Sequence, residues 1–422
     1  MADDASTPTP VRPSPPQGPF RDIRVVEFAH ERCAWAGKLL ADQGAEVIVV
    51  EPPGGAAQRC YGPFAGDDPD PERSLWWWHY NTSKLGVTLD LAGSDADRVR
   101  LQELVAGADV VLDGEDPGGL GRLGVDRDAL LAADARLIWA SVTPFGSQGA
   151  RSQEASTDLT VMAAGGPMWS CGYDDHSLPP VRGGGNQGLQ MGSHFAVLSV
   201  MTALLSREVT GQGQFIDVNM HAAANVTTEF ASYGWLVANQ TVQRQTGRHA
   251  TPRPTGPTQV RCADGRFANT GVPPRKPGEF KLLAEWLHEL GLADEFPEMA
   301  VLELGAEQER ISLADIEENP LLGEIFGAGR EAVTFIASRI GAYEYFAGSQ
   351  QRGMAAGIVY SPEEVFDDPH FQARNWAATV EHPELGASYT YPGVPIMYTA
   401  SPAAVRSRAP RIGEHNDVVF GS

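Results

Sequence analysis

Residues 171–185 read CGYDDHSLPPVRGGG, where the carboxylates Asp174 and Asp175 stand side by side, followed by His176, a proline pair and three glycines. A carboxylate can act as a nucleophile, but neighbouring like charges raise the pKa of one partner, and a protonated carboxyl attacks poorly. In an extended segment successive side chains point to opposite faces, so the conflict shrinks if Asp175 faces a pocket and Asp174 faces solvent. The same residue types also build turns: Asp bonds its own backbone, Pro fixes φ and Gly accepts positive φ. The residues alone leave both readings open, a reactive carboxylate or a surface loop, and His176 in such a turn is expected to be exposed without a role.

The elements that must position this loop are legible on either side of it. IRVVEF (23–28) reads as a strand, AWAGKLLADQG as a helix with one apolar face stopped at Gly44, and EVIVVE (46–51) as a second strand. The alternation continues through GVTLDL, DADRVRLQELVAGA, DVVLD, DRDALLAADA and LIWAS. That order predicts an α/β fold with a mostly parallel sheet covered on both faces. A long helical pattern fills 187–210, and TGQGQFIDVNMHAAANV then gives a glycine turn, a short strand and a helix. Residues 240–260, rich in Arg, Thr and Pro, read as a linker, and TQVRCADGRFANTG as a hairpin about Asp-Gly. Helices over KLLAEWLHEL and EAVTFIASRIGAYEYFA and strands in the tail complete the pattern. The expected division is a disordered arm over 1–20, a large α/β domain over 21–225, a linker and smaller α+β domain over 226–350, and a C-terminal segment over 351–422.

A chain of 422 residues exceeds one core of usual size, which agrees with more than one domain. The net charge of -22 excludes nucleic acid and an anionic membrane surface as partners, because both need a basic face. A phosphorylated ligand would have to be held by local cations. Cys33, Cys60, Cys171 and Cys262 lack CxxC spacing or His-rich company, so neither a disulfide framework nor a metal site is expected, as suits a reducing cytoplasm. The apolar stretch HFAVLSVMTALL is too short to cross a bilayer and no leader pattern precedes the fold, so a soluble cytoplasmic protein is expected. A nicotinamide oxidoreductase is disfavoured, since AHERCAWAG stands where GxGxxG would follow the first strand.

GKLLADQGAEVIVVEPPGG, NTSKLGVTLDL, GLGRLGV, DLTVMAAGG, TGQGQFIDV and APRIGEHNDVV, in this order, resemble the family III CoA-transferases, the group of formyl-CoA and carnitine CoA-transferases that includes the 2-methylacyl-CoA racemases. The resemblance runs over about 21–420. It implies a Rossmann-like large domain to which the C-terminal segment returns, a small domain between, and two ring-shaped chains interlocked as a homodimer or paired with a paralogous subunit. It also implies transfer of CoA from an acyl-CoA donor to a carboxylic acid acceptor, with coenzyme A as the thioester substrate and no metal. The family's aspartate lies three residues after a glycine, which from Gly172 is Asp175; two extra residues before Pro179-Pro180 keep Asp174 as the alternative. Its carboxylate would form a mixed anhydride and then a CoA thioester.

The resemblance assigns Arg122, Lys84 and Arg59 to the CoA phosphates and nucleotide, while Pro52 and Gly114-Glu115 replace residues common in relatives. Asp158 falls at the family's offset upstream of the nucleophile, and Gly184 and Gly185 would let backbone N–H groups approach an oxyanion. Arg32 would hold a second carboxylate and Trp35 line the acyl pocket, with Trp76-Trp77-Trp78 and His79 forming either an apolar wall or core packing. A racemase would need a histidine at Thr157 and an aspartate at Asn186, and neither residue present exchanges a proton near neutral pH. A CoA-binding subunit without turnover is the remaining alternative.

Overall fold

The computed structural model describes residues 17–228, 230–312, 315 and 319–421, so most of the expected N-terminal arm lies outside the described residues. Strands β1 (Arg24–Phe28), β2 (Glu46–Glu51), β3 (Leu85–Thr88), β4 (Val110–Asp113), β5 (Ile138–Thr143) and β6 (Phe215–Asn219) form one sheet, in the order β3-β2-β1-β4-β5-β6. Every pairing in it is parallel. The helices between them are α1 (Glu31–Asp42), α2 (Leu75–Tyr80), α3 (Asp95–Ala106), α4 (Gly119–Arg122), α5 (Arg127–Ala133), α6 (Asp158–Gly165), α7 (Gln187–Thr210) and α8 (Met220–Val226).

Successive strand residues supply two cores. Val25, Val47, Val110 and Ile138 meet α1 and α7 on one face, and Val26, Ile48, Val111 and Trp139 meet α3 on the other. Burial on both faces is why these strands read as continuous apolar runs. Gly213 in the TGQG turn passes so close to the chain that a Cβ there would lie 2.1 Å from the Leu137 carbonyl oxygen.

Helix α7, at 24 residues, is long and apolar enough to cross a membrane by length and composition, which corrects the expectation drawn from its central stretch. Half of its most apolar window is buried, and Leu189, Ala196, Val200 and Ala203 pack in the first core.

The chain divides into two compact units. The first holds Met1–Cys171, Pro180–Gln240 and Asp368–Ser422, and the second Gly172–Pro179 and Thr241–Asp367. Residues 226–240 thus join the large unit, 351–367 the smaller one, and the eight residues around the paired aspartates belong with the smaller unit. In that unit the stretch expected to be a linker forms an antiparallel hairpin, Gln243–Gln245 with Arg248–Thr251, turning at Gly247 with φ 65°. A three-stranded antiparallel sheet and helices Pro277–Glu289 and Pro320–Arg339 enclose a core centred on Phe280, Leu283, Ile325 and Ile336.

The C-terminal segment completes the first unit. His415 accepts from the Gly86 N–H (3.0 Å) and Asn416 from that of Thr88 (2.8 Å), covering the otherwise open edge of β3. Arg408 binds Glu414 through two bonds of 2.8 Å and Glu384 at 2.9 Å, and Glu384 also meets His382 Nδ1 at 3.1 Å. Burial pushes the Glu384 carboxyl up, but its hydrogen bonds to His382 and the backbone and the Arg408 charge outweigh it and hold it at about 2. A depressed carboxyl stabilises the fold above its unfolded value of 4.5 and loses that contribution as pH falls towards 2. Urea titrations between pH 5 and 2 are therefore expected to show a steeper acid loss of stability in the parent than in Glu384→Gln; parallel curves contradict the network.

Candidate active site

The segment Gly172–Pro179 is closed at its base by the Val181 N–H bonding to the Cys171 carbonyl at 3.1 Å, and the Leu178 N–H turns back to the Asp175 carbonyl at 3.2 Å. Asp175 Oδ1 accepts from the Ser177 N–H (2.9 Å) and hydroxyl (2.6 Å). Its other oxygen has no hydrogen bond among the described residues. Asp174 is engaged through both oxygens by Arg248, Nη2 to Oδ1 at 2.6 Å and Nη1 to Oδ2 at 3.1 Å, and its N–H donates to Thr246 Oγ1 at 3.1 Å.

The expected repulsion between neighbours does not decide their charge. The Arg248 hydrogen bonds hold Asp174 below the ordinary carboxylate range, and the Ser177 bonds do the same for Asp175. Asp174 does not simply face solvent either, because it lies on Arg248. Both aspartates are exposed, and so is His176, though its Nε2 meets the Arg244 carbonyl at 3.1 Å.

In the first unit two clefts open at the carboxyl ends of the strands, where open α/β sheets place ligands. One, of about 640 Å³, is lined by Asp113, Glu115, Gly118, Gly121, Ser141 and Thr143 at the ends of β4 and β5. The other, of about 410 Å³, is lined by Phe28, His30, Glu51, Pro52 and Gln58 at the ends of β1 and β2. Glu115 borders both. Its carboxyl is pushed up by burial and by Asp113 and Asp116, and burial holds His30 down at about 4.

The cations assigned to CoA divide sharply. Arg122, ending α4, is exposed and makes no hydrogen bond or salt bridge through its side chain among the described residues. Lys84 is fully buried, donating to Glu27 Oε1 (2.9 Å), the Ala34 carbonyl (3.0 Å) and Asn81 Oδ1 (3.0 Å). Three acceptors use all three ammonium protons. Burial raises Glu27 to about 7 and lowers Lys84, each opposed by the other's charge. Gly37 leaves the room for this pair, since a Cβ there would lie 1.6 Å from Glu27 Oε2.

Arg59 is equally enclosed. It forks onto Glu51 at 2.6 and 2.8 Å, meets Glu72 at 3.1 Å and the carbonyls of Pro71 and Pro410, and stacks 4.0 Å over Trp77. Neither Lys84 nor Arg59 presents a free N–H to a cleft; both brace the strands beneath it.

Arg32, expected to hold a substrate carboxylate, donates to Asp116 at 2.7 Å and to the Gly114 carbonyl at 2.9 Å, so its charge is already balanced. Trp35 is half-buried, stacks on His79 at 5.8 Å, stands edge-on to Tyr80 at 5.9 Å and donates to His194 at 3.2 Å. Burial lowers His79 to about 4, leaving its ring neutral and apolar in character near pH 7. The tryptophan triplet divides by helical periodicity: Trp77 and Trp78 enter a core, whereas half-buried Trp76 joins Tyr80 with centroids 4.4 Å apart. Asp158 at the start of α6 is gripped by Arg182 and accepts from the Leu189 N–H at 3.0 Å. Gly184 and Gly185 are exposed, and their N–H groups donate to nothing among the described residues.

Sequence reasoning missed Glu27, Asp116, Arg182 and Arg248. A charge inside VVEF, a strand buried on both faces, was the available signal for Glu27. The Thr-Gly turn inside QRQTGRHAT was the signal for the hairpin that carries Arg248.

A six-stranded parallel sheet with clefts at its carboxyl edge defines a Rossmann-like α/β protein. The family model for CoA-transferase family III matches residues 20–416, and the chain belongs to that family, whose members exchange CoA between an acyl-CoA and a carboxylate. It is 31% identical to the succinyl-CoA:(R)-benzylsuccinate CoA-transferase subunit BbsE of Thauera aromatica, over 94% of this chain and 92% of that one. It is 30% identical to the succinyl-CoA–D-citramalate CoA-transferase of Chloroflexus aurantiacus, over 96% and 94%. A CAIB/BAIF family protein from Brucella suis shares the fold, with a TM-score of 0.75, 23% identity and coverage of 96% and 99%.

Removing one partner of a buried ion pair costs about 3–5 kcal/mol, because the other charge is left without compensation. Lys84→Met is expected to lower unfolding stability by that amount in denaturant titrations, and Glu27→Leu/Lys84→Met to regain most of it. A loss no smaller in the double variant contradicts the pairing.

Proposed function

We propose that the protein transfers CoA from an acyl-CoA to a free carboxylic acid with Asp175 as the covalent carrier. The observation that supports this most is a carboxylate held ionised by Ser177 with one oxygen left without a partner, beside a second carboxylate fully engaged by Arg248. The free oxygen attacks the donor thioester carbonyl, a C–O bond forms, the C–S bond breaks, and CoA departs as thiolate. The thiolate then attacks the aspartyl carbonyl of the mixed anhydride, giving an aspartyl-CoA thioester and releasing the donor acid, which carries away an oxygen from Asp175. The acceptor carboxylate reverses both steps, leaves as its CoA thioester and returns an oxygen to Asp175. No net proton is required, so an ionised carboxylate serves in both directions.

Arg122, exposed and without a side-chain hydrogen bond among the described residues, is the cation assigned to the CoA phosphates, with Lys84 and Arg59 bracing the strands under the clefts. The free N–H groups of Gly184 and Gly185 suit a developing oxyanion, where one donor is worth roughly 3 kcal/mol. The names of both relatives support succinyl-CoA as donor. The wall of Trp35, Trp76, His79 and Tyr80 supports an acceptor acid with a bulky or aromatic group, since flat apolar surfaces favour one. Thr157, which caps α6, and Asn186, which bonds the Tyr80 hydroxyl at 3.3 Å, leave α-proton exchange without a base.

Asp175 is exposed in the single chain, and a mixed anhydride hydrolyses unless it is covered. Exposed Leu205, Val209, Leu236 and Val237 support burial against a second chain, in a homodimer or with a paralogous subunit, and the Thauera relative is itself named a subunit. A cytoplasmic location suits the unpaired, exposed Cys60 and Cys171.

Purified protein incubated with succinyl-CoA and a panel of acids is expected to form new acyl-CoA, and Asp175→Ala to lose at least about a thousandfold in rate, as removal of a covalent nucleophile does. Transfer by Asp175→Ala at the parent rate overturns the assignment. Trp35→Ala is expected to raise KM for an aryl-substituted acceptor about tenfold, equivalent to ~1.4 kcal/mol, with the succinyl-CoA KM little changed; equal effects on both contradict the aromatic wall.

A further inference from the structure

We infer that the hairpin spanning Gln243 to Thr251 is the positioning device of the transfer step, and that Arg248 and Arg244 hold the nucleophile segment on either side of Asp175. The inference rests on Asp175 being the nucleophile. Gly172–Pro179 has no helix or strand of its own and is largely exposed, conditions under which a loop samples many conformations. A reacting carboxylate needs the opposite, since a displacement of about 1 Å can cost roughly a hundredfold in rate.

The hairpin supplies the missing rigidity at defined points. Before Asp175, Arg248 forks onto both oxygens of Asp174, and Thr246 Oγ1 accepts the Asp174 N–H. After it, Arg244 Nη2 donates to the carbonyls of His176 (3.1 Å) and Leu178 (2.9 Å), while the Arg244 carbonyl meets the His176 ring. Asp175 receives no bond from the hairpin and remains free to react. The holders are themselves fixed: Arg248 also donates to the carbonyls of Thr246 (3.0 Å) and Thr255 (2.8 Å), and Gln245 Nε2 ties across to the His249 carbonyl at 2.8 Å. Arg244 is 9% exposed and the Arg248 side chain 8%. These are well-enclosed guanidinium groups, and a planar fork fixes direction as well as distance. Arg248 also balances the charge directly beside the nucleophile. Asp174, with both oxygens occupied, is thereby assigned to orientation and not to attack.

The test uses full-length protein and single-turnover formation of the aspartyl-CoA thioester from succinyl-CoA, with hydrogen exchange of the 172–179 backbone read in parallel. Arg248→Met and Arg244→Met are expected to slow thioester formation about 10- to 100-fold with KM for succinyl-CoA changed less than about threefold, and to speed exchange in 172–179 while the helices of the second unit keep theirs. Arg248→Lys is expected to restore only part of the rate, because a point charge replaces a fork. Should Arg248→Met fail to fold, Asp174→Asn, nearly isosteric and exposed, is expected to slow the same step. Unchanged rates in these variants, or a loss that appears wholly in KM with exchange unaltered, overturn the inference. If Asp175→Ala is inactive while Arg248→Met runs at the parent rate, the positioning role fails and the nucleophile stands; if Asp175→Ala still transfers CoA, the nucleophile assignment fails first.

Discussion

Asp174 and Asp175, adjacent in the chain, are each held ionised by donors of their own, and the proposed chemistry rests on that arrangement. Arg248 satisfies Asp174 completely, and Ser177 satisfies one oxygen of Asp175. The result is an asymmetric pair, one carboxylate bonded through both oxygens and one with an oxygen left open. The asymmetry comes from a hairpin some seventy residues further along the chain, which is why the segment belongs with the second unit although its chain neighbours on both sides belong to the first.

The first unit answers a related problem, how an acidic chain brings cations near an anionic ligand. Most of its cations beneath the clefts are neutralised internally: Lys84 by Glu27, Arg59 by Glu51 and Glu72, Arg32 by Asp116. Such enclosed pairs contribute orientation more than net stability. They fix β1, β2 and the turns after them, whereas the exposed Arg122 makes no side-chain hydrogen bond among the described residues.

The large sheet was legible in the sequence because its central strands are buried on both faces and α1 carries an apolar stripe; IRVVEF, EVIVVE and DVVLD fall within a residue or two of the observed strands. The candidate segment was legible as a pair of aspartates, but the charge state of Asp174 was not, since its donor Arg248 lies far away in sequence. The stretch around Arg248 read as a linker because Pro and Thr dominate it, while the turn at Gly247 that folds it into a hairpin carries few apolar markers. The pairing of Glu27 with Lys84 was not legible, because Glu27 sits among the apolar residues of β1 and Lys84 directly before β3, 57 residues further on. Helix α7 was legible over its whole length, 187–210, up to the glycine stop at Gly211.

The central claim is that CoA passes through one named carboxylate, and the fate of an oxygen atom tests it most directly. Turnover with an acceptor acid labelled with oxygen-18 in its carboxylate, followed by proteolysis and tandem mass spectrometry, reads which side chain has received acceptor oxygen. The account predicts that label enters the Asp175 carboxylate and that Asp174 remains unlabelled. Label in Asp174, or product formed with no label in the protein, would contradict it.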